Sequence, residues 1–172
     1  GLVVFGNQAF VQSPLTLDLQ AVRGVLNDVV PGMAGNATAM GDAIALSIKK
    51  LRERPEGSRV LLLVTDGEST AGLVPPMEAA RLAVREGVRI YAIGVGSNQE
   101  EVMIMGTDGQ YQEESDIGMD ENALTRIAGL TGGAYFRATN TRALEEIYGQ
   151  IDTLEKTEAQ SRTVMIPRPL FQ

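Results

Sequence analysis

The chain has 172 residues, 44% of them hydrophobic and 22% charged, enough for one globular domain whose core requires no disulfide or structural metal. Its 15 Lys plus Arg against 22 Asp plus Glu give a net charge of −7, which argues against phosphate-backbone binding and a nucleic-acid partner. With no His and no Cys there is no imidazole acid–base chemistry, thiolate nucleophile or thiolate zinc site, so a metal must be held by oxygen, pointing to Mg²⁺, Mn²⁺ or Ca²⁺.

Leu2–Phe5 and Ala9–Val11 are short apolar runs around Gly6-Asn7-Gln8 and predict a hairpin. Leu19, Val22 and Val29 fall at helical spacing within Leu15–Val30. Met40, Ile44, Ile48 and Leu51 mark one face of a second helix that ends near Arg54-Pro55. Val60–Val64 is an unbroken apolar run between turn signals, the pattern of a strand buried on both faces of a parallel sheet. Pro75-Pro76 opens a helix that runs to Gly87, and Val88–Val95 forms a second buried strand. Residues 97–118 are acidic, and Val102–Met105, Thr107-Asp108-Gly109 and Gln110-Tyr111 predict a hairpin excursion. Asn122–Thr131 is helical and stops at Gly132-Gly133. Ala134–Ala138 is a strand, and Leu144, Ile147, Tyr148, Ile151 and Leu154 stripe a last helix that begins near Thr141. Alternating strands and helices define an α/β class with a mostly parallel sheet. No stretch approaches the ~20 apolar residues of a membrane span. Gly1 leads directly into an apolar strand, which reads as an excerpt from a longer protein, and residues 162–172, with Pro167 and Pro169, read as a linker.

Ligands of open α/β sheets sit at the carboxyl ends of the strands. Asp66 follows such a strand directly, so it either presents a carboxylate there or simply makes a turn with Gly67. Thr38 precedes the second helix, where a hydroxyl ordinarily caps an orphan N–H. Asp42, one turn into that helix, suits the macrodipole. The chain contains no P-loop, no complete dinucleotide fingerprint and no nucleophile elbow. The acidic run Glu113-Glu114-Ser115-Asp116 lacks the ligand alternation of an EF-hand and reads as a solvated loop.

In order and spacing, Gly1-Leu-Val-Val-Phe-Gly, Gln12-Ser-Pro-Leu-Thr, Thr38-Ala-Met-Gly-Asp-Ala-Ile, Leu62-Leu-Val-Thr-Asp-Gly-Glu, Tyr91-Ala-Ile-Gly-Val-Gly and Leu130-Thr-Gly-Gly-Ala-Tyr-Phe resemble the von Willebrand factor A (VWA) domain, in particular that of the bacterial Bat aerotolerance-related membrane proteins. The likeness covers residues 1–158, leaving 159–172 as a C-terminal linker or tail. It implies a three-layer αβα, Rossmann-like VWA fold that here lacks the first, central strand and the first helix. It also implies a metal-ion-dependent adhesion site built from a D-x-S-x-S loop, a Thr and an Asp. Thr38 matches that Thr and Asp66 that Asp, with Gly67 easing approach to the ion and Asp42 and Ser69 as outer neighbours. No D-x-S-x-S is present, so Mg²⁺ or Mn²⁺ belongs to the complete domain and this chain should bind little of either.

The function implied is non-enzymatic: a protein-interaction module whose partner donates an Asp or Glu to the ion. The implied partners are other VWA proteins and a MoxR-type ATPase. The implied parent is membrane-tethered with its soluble domain in the periplasm, although Arg162 and Arg168 lean the other way. A metal-free structural interaction domain and a metal-assisted hydrolase using Asp66 are the alternatives. The missing strand would leave a gap between Leu2–Phe5 and Arg59–Thr65, to be closed by direct pairing of those strands or covered by dimerisation or a strand swap.

Overall fold

The computed structural model describes residues 1–30, 32–96, 102–105, 111–114 and 120–161. Strand β1 (Leu2–Phe5) turns through Gly6–Gln8 into antiparallel β2 (Ala9–Ser13), the expected hairpin. Helix α1 (Leu19–Asn27) is shorter than its apolar spacing suggests, because the Asp18 carboxylate caps it by accepting from the Ala21 N–H at 3.0 Å. Helix α2 spans Met40–Leu51, β3 Val60–Thr65, α3 Pro76–Arg85 and β4 Arg89–Val95. Strands β5 (Val102–Met105) and β6 (Tyr111–Glu114) pair antiparallel, giving the hairpin excursion. The turn expected between them, the Ser115–Asp116 end of the acidic run and residues 162–172 lie outside the described residues. Helix α4 (Glu121–Leu130), strand β7 (Tyr135–Ala138) and helix α5 (Thr141–Ser161) complete the order.

β3, β4 and β7 form a parallel sheet in that order. Alternation along β4 builds the two faces. Ile90 and Ala92 point into a core shared with Ile44 and Ile48 of α2, Ala80 of α3 and Ile127 of α4, all buried. Tyr91 and Ile93 point the opposite way, against Ile147 and Ile151 of α5. The architecture is therefore the three-layer α/β arrangement with helices on both sheet faces. Gly133 is needed where the α4–β7 turn crosses β4, since a Cβ there would overlap the Ile90 carbonyl oxygen.

Direct pairing of β1 with β3, one of the two ways of closing the gap, does not occur among the described residues. β1 pairs only with β2, and β3 only with β4, so each keeps an open inner edge among the described residues. Between them lies a slot of about 960 Å³, lined by β1, β3, α2, Leu26 and Tyr148. On β3, Leu63 and Thr65 are buried, whereas Leu62 and Val64 remain 37% and 38% exposed. Half of this strand is covered from one side only.

α5 is fastened at its far end by a small polar cluster. The Arg89 guanidinium meets Glu155 at 2.7 Å, and the Tyr91 hydroxyl donates to the same carboxylate at 2.8 Å. Burial pushes the Tyr91 phenol above its ordinary value of about 10, the bond to Glu155 pushes the same way, and Arg89 pulls back. A phenol raised in the folded state contributes stability that is intact below its unfolded value and is lost as pH climbs through the folded one. We expect stability to fall above about pH 10, and Tyr91→Phe to flatten that alkaline slope in urea unfolding series.

Candidate functional site

The carboxyl ends of β1 and β3 meet one loop, residues 34–39. The Gly6 carbonyl accepts from the Ala39 N–H at 2.7 Å, and the Asn7 N–H donates to the Ala34 carbonyl at 2.7 Å. The Asn7 side-chain oxygen accepts from Ala37 at 2.9 Å. On the β3 side, the Thr38 N–H donates to Thr70 Oγ1 at 3.0 Å. The Thr38 carbonyl accepts from the Thr70 N–H at 3.1 Å, the Ala71 N–H at 3.3 Å and Ser69 Oγ at 3.2 Å. The main chain of Thr38 is thereby fixed from both sides.

Its side chain is left free. Helix α2 is capped by Ala39 with no side-chain hydrogen bond, so the N-cap role expected of the Thr38 hydroxyl is not realised. The Thr38 hydroxyl and the exposed Asp66 carboxylate make no hydrogen bond or ion pair with the described residues, and both line the mouth of the slot. Thr38 and Asp66 thus both line this slot.

The other three candidates have different positions. The Asp42 carboxylate accepts from the Leu73 N–H at 3.0 Å through either oxygen and from the Val74 N–H at 2.8 Å. It clamps the loop after β3 to the first turn of α2. Gly41 makes this possible, because a Cβ there would overlap the Val74 carbonyl oxygen. Ser69 braces the Thr38 carbonyl. The Gly67 N–H donates to Thr65 Oγ1 at 3.3 Å, and the residue is not among those with positive φ, so no left-handed turn brings it toward an ion. Thr70 and Asn7 were not candidates in the sequence; their polar contacts span 32 and 30 residues, and no local pattern announces them.

The donor set is oxygen, which suits a hard divalent cation, but it is incomplete. Mg²⁺ takes about six oxygens in near-octahedral array, and Thr38 with Asp66 supplies two. Among the described residues no group of three acidic side chains could hold a metal ion. These residues do not by themselves fit the ion; they fit part of its shell.

Asp42→Ala should cost about 2 kcal/mol in urea unfolding by removing charge-assisted acceptors, with Asp42→Asn recovering part of the loss. Amide exchange should accelerate specifically at Leu73 and Val74; unchanged protection there would refute the clamp.

The von Willebrand factor type A domain matches residues 1–150. An uncharacterized protein of Borreliella burgdorferi is 29% identical over 174 residues, covering 100% of this chain and 51% of that protein. The chain spans about half the length of the curated relatives it matches. The crystal structure of BatB from Bacteroides thetaiotaomicron is similar at 26% identity and TM-score 0.68, over 90% of this chain and 78% of that one. An aerotolerance-related membrane protein from Bacteroides fragilis is similar at 25% identity and TM-score 0.65, over 86% and 75%.

Proposed function

We propose that this chain, which belongs to the von Willebrand factor type A domain family, is a non-enzymatic protein-interaction module whose working face is the Thr38–Asp66 mouth. The observation that carries the reading is a contrast. The two loops are locked together through main-chain and Asp42 contacts, while the Thr38 hydroxyl and Asp66 carboxylate are left without partners among the described residues. Oxygen ligands held on a rigid frame and not used internally are available to something external.

In this reading Thr38 and Asp66 are two ligands of a Mg²⁺ or Mn²⁺ ion, and further oxygens come from polypeptide beyond these residues. When bound, the ion supplies an open coordination position for a partner carboxylate. The chain's own residues do the positioning: Thr70 and Ser69 hold the Thr38 main chain, and Asp42 holds the Asp66 loop. An Asp or Glu of the partner gives charge-assisted contact, and the surrounding surface gives specificity. The similarity to an aerotolerance-related membrane protein supports a membrane-tethered parent; the reading further places this domain in the periplasm, with partners among other VWA proteins and MoxR-type ATPases. No helix among the described residues is long and apolar enough to cross a membrane, so a tether lies elsewhere in that reading.

Two measurements test it. Titration of the chain with Mg²⁺ or Mn²⁺ should show affinity no tighter than about 1 mM; micromolar binding abolished by Asp66→Ala would contradict the partial-shell argument. The longer parent should bind a MoxR-type ATPase in Mg²⁺ but not in EDTA, and lose that binding with Asp66→Ala. Binding indifferent to both changes favours the metal-free interaction domain, and Mg²⁺-dependent ester hydrolysis lost with Asp66→Ala favours the hydrolase.

A further inference from the structure

At the end of the sheet where β3 and β4 begin, one arginine gathers a set of cations. The Arg59 guanidinium donates to the Arg52 carbonyl at 2.9 Å, the Arg54 carbonyl at 2.8 Å and the Glu86 carbonyl at 2.6 Å. It holds the turn after α2 against the turn after α3. Helix α5 reaches the same end, since its Glu155 meets Arg89, the first residue of β4. We propose that this pole is a lipid-contact face, which rests on the anionic phospholipid headgroups of a bilayer and turns the Thr38–Asp66 mouth away from it.

Charge is the first argument. Lys49, Lys50, Arg52, Arg54 and Arg85 are exposed and make no hydrogen bond or ion pair with the described residues. With Arg59 they face only the carboxylates of Glu53, Glu56 and Glu86, because Glu155 is matched by Arg89 and Asp152 by Lys156. The pole is therefore a net cation on a chain whose net charge is −7. Cations in closing turns ordinarily serve the carbonyl ends of helices. Here Arg59 takes the Arg52, Arg54 and Glu86 carbonyls, and the Arg52 and Glu86 N–H groups take those of Ile48 and Leu82. The other five cationic groups are left to solvent.

Apolar exposure at the same pole is the second. Val84 and Leu130, in the last turns of α3 and α4, are exposed, as is Leu154 beside Glu155 on α5. Residues 162–172, which follow α5 in the sequence, repeat this chemistry, with Arg162 and Arg168 among large apolar residues and no Asp or Glu. Cations interleaved with apolar side chains are the composition of a membrane-interface surface. These groups come from several separate helix ends. A plane of headgroups meets them together, whereas a peptide or nucleic-acid strand needs its contacts along one line.

Orientation follows from the sheet. β3 runs six residues from this pole to Asp66, about 20 Å at strand rise. That distance exceeds the ~10 Å reach of headgroup charge at 0.1 M salt. The exposed carboxylates of Asp66 and Glu68 therefore stand clear of the lipid that would repel them. The proposal concerns the opposite end of the molecule and stands whether or not the mouth binds an ion.

The chain has no Cys, so Ser58→Cys, in the turn before β3, and Leu73→Cys, beside the mouth, each accept a single fluorophore. The labelled 172-residue chain is tethered through a carboxyl-terminal hexahistidine to vesicles holding nickel-chelating lipid and a rhodamine-headgroup acceptor. Energy transfer from position 58 should be about twofold higher on vesicles containing phosphatidylglycerol than on phosphatidylcholine alone, and should exceed transfer from position 73. In 1 M NaCl, where the screening length is about 3 Å, the increase should vanish. The lipid and salt arms need no charge variant. Lys49→Glu, Lys50→Glu and Arg52→Glu combined should abolish the increase. Transfer from position 58 that ignores phosphatidylglycerol, or falls below that from position 73, overturns the proposal. So does displacement from the vesicles by a DNA duplex or polyglutamate at equal charge, since the occupant is then an acidic polymer. An increase that survives the triple variant also overturns it, the contact belonging to residues 162–172 if Arg162→Gln with Arg168→Gln removes it.

Discussion

Everything at the Thr38–Asp66 mouth depends on one carboxylate. Asp42 sits in the first turn of α2 and accepts the amide hydrogens of Leu73 and Val74, residues 31 and 32 positions away in sequence. That contact joins the start of a helix to the segment that follows β3, and Gly41 removes the side chain that would hold them apart. With the clamp in place, the Thr38 main chain has Thr70, Ala71 and Ser69 within hydrogen-bonding reach. Charge-assisted bonds to a main-chain donor are among the stronger ones available at a half-buried position, so one residue can organise two loops. The result is a frame whose rigidity is internal and whose ligand groups are external.

The same economy is absent on the other side of β3. Its inner edge is open, and its outward residues Leu62 and Val64 are only partly covered. Helix α1 does little to help: none of its residues is buried, and Leu19 and Leu26 are 66% and 53% exposed. The well-packed half of the molecule is thus β3–β4–β7 with α2 to α5; the β1–β2 hairpin is held through the 34–39 loop and contacts with α2, and α1 packs lightly against β2.

Periodicity made most elements legible. The stripes Met40, Ile44, Ile48, Leu51 and Leu144, Ile147, Ile151 lie where the core places them, and the unbroken Val60–Val64 run is a parallel strand. Helix ends were less legible, because they depend on caps such as Asp18 rather than on apolar spacing. Thr38 shows the limit most clearly. A hydroxyl just before a helix reads locally as a cap, yet the N-cap position falls on Ala39, one residue later, and no side chain caps the helix. The strand end offers Asp66 equally as a ligand or a turn and only the resemblance decides between them, as it does against the cap reading of Thr38; Asp42 is visible as a first-turn carboxylate, but its partners, like those of Thr70 and Asn7, lie about 30 residues away and no local pattern announces them.

The open edge of β3 also bears on how the protein behaves as a colloid. Val60–Thr65 is a six-residue segment of β-branched and aliphatic residues without charge or proline, the composition from which cross-β stacks nucleate. What keeps such edges apart in solution is the net charge of −7 on each molecule. That repulsion reaches about 10 Å at 0.1 M salt and only about 3 Å at 1 M. Raising the ionic strength therefore shortens the range over which the like-charged copies hold such edges apart.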